Sequence, residues 1–141
     1  ELNVADINHL KEYIEDPVII KRARHVISEN GRVLKAVSAL KEHDIRQFGE
    51  LMNMSHDSLK NDYEVTGYEL DTLVYEGRKL PGVIGTRMTG AGFGGCTVSI
   101  VNNENADDFA SILGKIYKER TGLIADFYFP RIGDGARRIK E

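Results

Sequence analysis

Cysteine is nearly missing from this chain: Cys96 is the only one among 141 residues. No disulfide can therefore close within it, and a reducing, cytoplasmic setting is expected. One Cys and four dispersed His give no spacing that would hold a metal ion. No apolar run reaches the roughly 18 residues that a membrane-crossing helix requires, so no membrane is expected as a partner. A large excess of one charge is lacking too. A formal net charge of −3 argues against nucleic acid or an anionic surface held by bulk electrostatics. The one basic cluster, Arg131 with Arg137, Arg138 and Lys140, reads as a solvated carboxy-terminal face. No internal repeat or low-complexity tract is present.

What remains is ordinary globular composition, with 41% hydrophobic and 29% charged residues, and enough length for one core. The departure is in glycine. Five of the fourteen, Gly85, Gly90, Gly92, Gly94 and Gly95, fall within eleven residues and run straight into the β-branched stretch Cys96 to Val101. Glycine tolerates φ > 0 and lets another backbone or a phosphate come close. A flexible linker would be Ser-rich and flanked by polar sequence, which this tract is not.

The tract Gly90-Ala91-Gly92-Phe93-Gly94-Gly95 fits the spacing G-x-G-x-x-G. A dinucleotide site, however, needs a helix to open there and an acidic residue about 20 positions on. Here a strand follows instead. No Lys-Ser or Lys-Thr closes the tract, so the P-loop pattern fails as well. Local chemistry leaves two readings open, a structural β-hairpin and a loop that faces a ligand.

Helices come first along the chain. Asn3 caps an expected helix with Val4, Ile7, Leu10 and Ile14 on one face. Asp16-Pro17 restarts a second, whose apolar register runs from Ile19 to Leu40 across Gly31. Asp44 with Gln47 reads as a capping box for a helix carrying Phe48, Leu51, Met52 and Leu59, and Thr66 with Glu69 repeats the signal. Strands are expected at Val83 to Met88 and Gly95 to Val101. A helix follows from Asn105, with Phe109, Ile112, Leu113 and Ile116 inward and Gly122 as its stop. Ala125 to Phe129 alternates as a strand, and Ala136 to Ile139 reads as a last short one. The order predicts an α+β fold with helices packed on a mostly antiparallel sheet.

Gly85-Thr86-Arg87-Met88-Thr89-Gly90-Ala91-Gly92-Phe93-Gly94-Gly95-Cys96 resembles the third motif of the small-molecule kinases that include galactokinase, homoserine kinase, mevalonate kinase and phosphomevalonate kinase. Arg-Met-Thr before the glycines and Cys after them is similar to the galactokinase family in particular. Arg22 to Asn30, Ser55 to Leu59, Tyr63 to Thr66 and Glu69 to Asp71 add segments in that family's order, over nearly the whole chain.

The resemblance implies a ferredoxin-like carboxy-terminal domain spanning residues 1–141. It also implies an absent amino-terminal domain with the phosphate loop and the catalytic Arg and Asp, since no Gly-Leu-Ser-Ser-Ser stretch occurs here. The implied parent phosphorylates galactose with ATP and Mg2+, while the fragment alone is inactive and contacts its own amino-terminal domain. Two alternatives stay open, a non-catalytic sugar sensor and a free-standing ferredoxin-like binding module. A split fragment is further expected to self-associate through its exposed domain interface.

Gly90 to Gly95 would point amides towards phosphate or the missing phosphate loop, with the Thr89 and Thr86 hydroxyls nearby. Arg87 would pair with phosphate or lock a loop carboxylate; the alternative is a salt-bridged surface side chain. Ser55-His56-Asp57-Ser58 invites a hydrolase reading, but helical neighbours point in different directions. Ser55 and His56 are instead expected to hydrogen-bond towards the inter-domain cleft. Cys96 is expected as a buried small hydrophobe.

Overall fold

The computed structural model describes residues 12–131, together with Asp6, His9, Gly133 and Gly135. The strand expected at residues 136–139 and most of the helix expected around Val4, Ile7 and Leu10 lie outside the described residues; Glu12 and Tyr13 are helical, whereas Ile14 to Asp16, expected within that helix, are not.

Helix α1, Pro17–Lys41, starts where its sequence signal stands: the Asp16 carboxylate accepts the Val18 amide at 2.8 Å, and Pro17 fills a first-turn position. Gly31 does not break it. Helix α2, Ile45–Ser58, is capped by Asp44, whose carboxylate accepts the Gln47 amide at 2.9 Å. Only that half of the capping box forms, because the Asp44 amide is taken by the Ala39 carbonyl at 2.8 Å. α2 then widens into a π-helical turn, Leu59–Tyr63, which Glu64 closes in the left-handed conformation at φ 60°. Helix α3, Gly67–Gly77, follows. Thr66 is its cap residue but makes no side-chain cap bond, contrary to the sequence expectation. Its backbone is already helical there, which takes its hydroxyl away from the cap position.

Strands β1, Val83–Thr89, and β2, Cys96–Val101, form an antiparallel pair from Thr89↔Cys96 to Val83↔Val101, with a bulge between Val83 and Gly85. Helix α4, Ala106–Thr121, ends at left-handed Gly122 (φ 75°) as expected. Phe109, Leu113 and Tyr117 are its buried side chains, whereas Ile112 is exposed rather than inward. Leu113 and Tyr117 continue the stripe of Phe109 at i+4, and Ile112 falls beside it. The strand expected at Ala125 to Phe129 is not one. Residues 123–131 carry no ladder among the described residues, and Phe127 lays its ring against Gly114 of α4 instead. The alternation was real, but a strand needs a neighbour to pair with.

The fold is thus α+β, with a two-stranded antiparallel sheet among the described residues. Its free β1 edge is covered by a helix. Gly49, Asn53 and His56 of α2, at i, i+4 and i+7, lie on one stripe along β1. Gly49 meets Ile84 backbone to backbone, Asn53 Oδ1 accepts the Thr86 amide at 3.0 Å, and His56 Nδ1 accepts the Met88 amide at 3.2 Å. Edge amides that would template another strand are satisfied by side chains instead. Leu59, Leu70 and Met88 form a core cluster beneath this contact, with Val65 packed against it. A fully buried Leu such as Leu70 stabilises by about 1.5–3 kcal/mol.

Candidate functional site

The glycine tract is the turn between the two strands, closed at its base by the Thr89↔Cys96 pair. Three consecutive residues take positive φ: Gly92 at 88°, Phe93 at 54° and Gly94 at 96°. Gly92 fits because its backbone presses on the Val65 carbonyl, where a Cβ would overlap it. Phe93 then donates its amide to that same carbonyl at 2.9 Å. Its ring is turned outward and is 78% exposed. A non-glycine residue in the left-handed region costs roughly 1 kcal/mol or more, so the surrounding contacts impose this path. Beyond Phe93 the loop opens. Any Cβ at Gly90 or Gly94 would meet nothing within 4 Å, and the Gly94 and Gly95 amides have no backbone acceptor among the described residues. Thr89, Ala91 and Cys96 are exposed beside them. Cys96 is therefore not the buried hydrophobe its composition class predicts. It sits on the sheet face that it shares with exposed Val98.

Arg87 leaves β1 one residue before Met88 and is half-buried, with Nε enclosed and lacking a hydrogen-bond acceptor among the described residues. Its charge reaches Glu29 and His25 on α1. Ser55 and Ser58, three residues apart on one face, both turn to α1, whereas His56 and Asp57 point elsewhere, so the four do not converge. Ser55 donates to Glu29 Oε1 at 2.6 Å, and His56 sits between Met88 and Asp71. Asp57 pairs with Arg78 at 2.7 Å, and Ser58 Oγ lies 3.0 Å from His25 Nδ1. The side chains of Ser55 and His56 thus find their partners on α1, α3 and β1, behind the loop.

Electrostatics follow burial. Desolvation of the buried His56 ring, together with the Arg78 charge, keeps its pKa below the usual imidazole range although Asp71 and Asp57 oppose this. An imidazole that accepts the Met88 amide at Nδ1 must carry its proton on Nε2, which faces Asp71 Oδ1 at 3.3 Å. Burial likewise lowers His25, with Arg32 and Arg87 adding to it against Glu29 and Asp62. Burial pushes Glu29 up, but the Ser55 and Arg32 hydrogen bonds and the nearby cations outweigh it and hold the carboxyl below its ordinary value.

A second cluster ties α1 to the π-helical turn. Lys21 and Arg22 reach Glu64 at 3.0 and 2.8 Å, and Arg24 reaches Asp62 at 3.1 Å. Tyr63 stacks on His25 with ring centroids 4.7 Å apart. Among the described residues no group of three or more His, Cys, Asp or Glu could hold a metal ion.

Sequence reading passed over Asn53 and assigned no individual role to Glu29, Val65 or Asp71, although they lie in segments that carry the resemblance. The spacing of Gly49, Asn53 and His56 could have shown one helical stripe, but only the fold shows that it faces a strand edge. Nothing local marks Val65 as the anchor of a loop 27 residues later.

Residues 36–119 match the family model described as GHMP kinases C terminal. The galactokinase of Fusobacterium nucleatum is 55% identical over 140 residues, which is 99% of this chain and 36% of that protein. The galactokinase of Enterococcus faecalis is 51% identical over 139 residues, again 99% of this chain and 36% of that protein. A crystal structure of Lactococcus lactis galactokinase complexed with galactose matches with a TM-score of 0.88 at 46% identity, covering 90% of this chain and 33% of that one. The chain therefore spans about a third of the length of the curated relatives it matches.

Proposed function

Because this chain belongs to the GHMP kinases through their C-terminal domain, we propose that it is the carboxy-terminal part of a galactokinase, acting in the cytoplasm. The whole enzyme moves the γ-phosphoryl group of ATP to the C1 hydroxyl of galactose. The new P–O bond forms as the bond to ADP breaks, and the hydroxyl proton leaves to a base. In this reading the phosphate loop, the catalytic Arg and Asp and most sugar contacts belong to an amino-terminal domain. Residues 1–141 form the second wall of the nucleotide cleft, and by themselves they are inactive.

One observation carries the reading: the tract Gly90, Ala91, Gly92, Phe93, Gly94, Gly95 holds an open bend whose last amides are unpaired among the described residues. Amides of this kind stabilise the negative charge of a phosphate chain without a cation. No Cβ fills the space in front of Gly94, so the cradle fits phosphate oxygens or the loop that holds them. Thr89 adds a hydroxyl at the rim. Arg87 contributes positive charge behind the loop, and this charge favours the ionised Glu29 that accepts the Ser55 hydroxyl. His56 acts through the Met88 amide rather than by touching substrate. Mg2+ would neutralise phosphate charge in the transfer, with ligands drawn from the nucleotide and the amino-terminal domain. Ile19, Val26, Val33 and Leu34 expose an apolar stripe on α1, which supports contact with the amino-terminal domain and self-association in its absence.

The test is a chimera. The amino-terminal part of the Fusobacterium nucleatum galactokinase joined to this chain is expected to release ADP in a galactose-dependent manner, and this chain alone is expected to release none. A folded but inactive chimera, or turnover by the chain alone, overturns the proposal. In a separate arm, Mg·ATP added to the isotope-labelled chimera should shift the Gly94 and Gly95 amides. Unmoved amides sink the loop assignment.

A further inference from the structure

The glycine loop is held from behind at its entry and in its middle by a single piece of chain. At its entry, Met88 stands two residues before Gly90, and its amide is bound by His56 Nδ1 of α2 at 3.2 Å. In the middle, Gly92 and Phe93 dock on the Val65 carbonyl, with the Phe93 amide bonded at 2.9 Å. His56 and Val65 are joined without a break by the end of α2 and the π-helical turn. That turn is closed on itself by the Val65 amide bonding to the Leu59 carbonyl at 3.2 Å. Leu59, Val65 and Met88 also share one apolar cluster with Leu70, so both anchors rest on the same packed unit.

We propose that His56 is a positioning residue for the glycine loop: by accepting the Met88 amide it registers the end of β1 against the α2–π-helical unit whose Val65 carbonyl holds Phe93. Its functional consequence rests on the loop reading given above, but the clamp itself does not depend on it. A positioning group of this kind must be rigid and must keep an acceptor on the correct nitrogen. His56 has both properties. The side chain is 3% exposed, and its Nε2 lies 3.3 Å from Asp71 Oδ1, while the other Asp71 oxygen is tied to Lys60 at 3.0 Å. Arg78 from the end of α3, Asp71 within it and Asp57 on α2 are the charged groups that bear on the ring. A second proton would occupy Nδ1 and turn the acceptor into a donor facing an N–H. The clamp therefore works only with the neutral tautomer, and burial with the Arg78 charge favours that form.

Two substitutions separate positioning from bulk. Asn places its carbonyl where Nδ1 of His sits and can keep the Met88 bond, whereas Gln places its carbonyl nearer Nε2 and loses it. In hydrogen exchange followed by NMR on the 141-residue chain, we expect His56→Gln to lower protection of the Met88 and Phe93 amides by about tenfold more than that of the Val74 amide in α3. His56→Asn should keep Phe93 within about threefold of the unsubstituted chain on the same scale. Equal loss at Phe93 and Val74 would mean that His56 merely stabilises the fold, and equal loss in the Asn and Gln variants would mean that the Met88 bond is not the link; either result overturns the proposal.

Should His56→Gln fail to fold, the unsubstituted chain decides the matter. The protection factor of Phe93, corrected for intrinsic exchange, should fall as pH is lowered from about 7.5 to about 5, with the midpoint of the His56 ring titration. Protection that stays constant through that titration overturns the clamp. None of these readouts contains nucleotide, so a failure of the phosphate reading and a failure of the clamp are told apart.

Discussion

Gly49 of α2 and Gly85 of β1 meet backbone to backbone, with no side chain between the helix and the strand. A Cβ on Gly49 would overlap the Ile84 carbonyl, and one on Gly85 would overlap the carbonyl of Gly49. This crossing brings α2 close enough for Asn53 and His56 to reach the next amides of β1. Close approach at one end of the stripe is what permits hydrogen bonding along the rest of it.

Adding one methyl at that crossing should be costly. Gly49→Ala or Gly85→Ala is expected to lower the unfolding free energy by about 1–3 kcal/mol, the usual cost of overpacking against backbone that cannot yield. Gly31→Ala is the control, because Gly31 is helical and a Cβ there meets nothing within 4 Å. It should raise stability by about 0.5–1 kcal/mol. Urea unfolding of the three variants checks the sign of each.

Stability should fall as the solution is acidified below about pH 6.5, and the buried imidazoles are the cause. His25 and His56 both have pKa values held below the ordinary imidazole value of 6.5 in the folded chain. Between the folded values and 6.5 the unfolded chain binds more protons than the folded one, so unfolding free energy rises with pH there. The contribution is complete above the unfolded value and is lost as pH drops towards the folded ones. Urea midpoints measured at about pH 8, 7, 6 and 5 should decline over the last two steps, and a flat profile would show that neither ring is neutral by burial.

Ser55→Ala should act in a lower window. Ser55 donates at 2.6 Å to Glu29, whose carboxyl is held below its ordinary 4.5. A depressed carboxyl stabilises the fold above the unfolded pKa, and that stability is lost as pH falls through the folded one. Removing the hydroxyl should cost about 1.5–3 kcal/mol near pH 7, typical of a bond to a charged group. The cost should shrink towards zero in acid once Glu29 is protonated in both proteins.

Phe93 and Gly92 are neighbours in the loop with opposite expected sensitivities. Phe93→Ala should leave stability within about 0.5 kcal/mol, because the ring is exposed. Gly92→Ala should destabilise by about 1–2 kcal/mol or more, since it forces a side chain into positive φ and onto the Val65 carbonyl. Thermal unfolding, with the Phe93 amide signal as a local reporter, distinguishes the two.

Helices α1, α2 and α4 were legible because their signals act over three or four residues. Asp16-Pro17, Asp44 and Gly122 each bond or turn within one helical turn of where they stand. The β–loop–β unit was legible for the same reason, as β-branched runs flank a glycine tract that only a turn explains. The glycine turn could therefore be placed in the chain directly, and the family could be read with it.

The tertiary structure alone decided what each side chain faces. Ile112 and Cys96 belong to apolar classes yet are exposed, because burial depends on a neighbour and not on the residue. Residues 125–129 alternate like a strand and have no ladder among the described residues, because pairing requires a second chain segment at hydrogen-bonding distance. His56 could be placed on a helix by its spacing, but its bond to Met88 joins residues 32 apart, and no local rule reaches that far. Periodicity and capping are one-turn physics; contacts such as this one exist only after loops have closed and the core has chosen its faces.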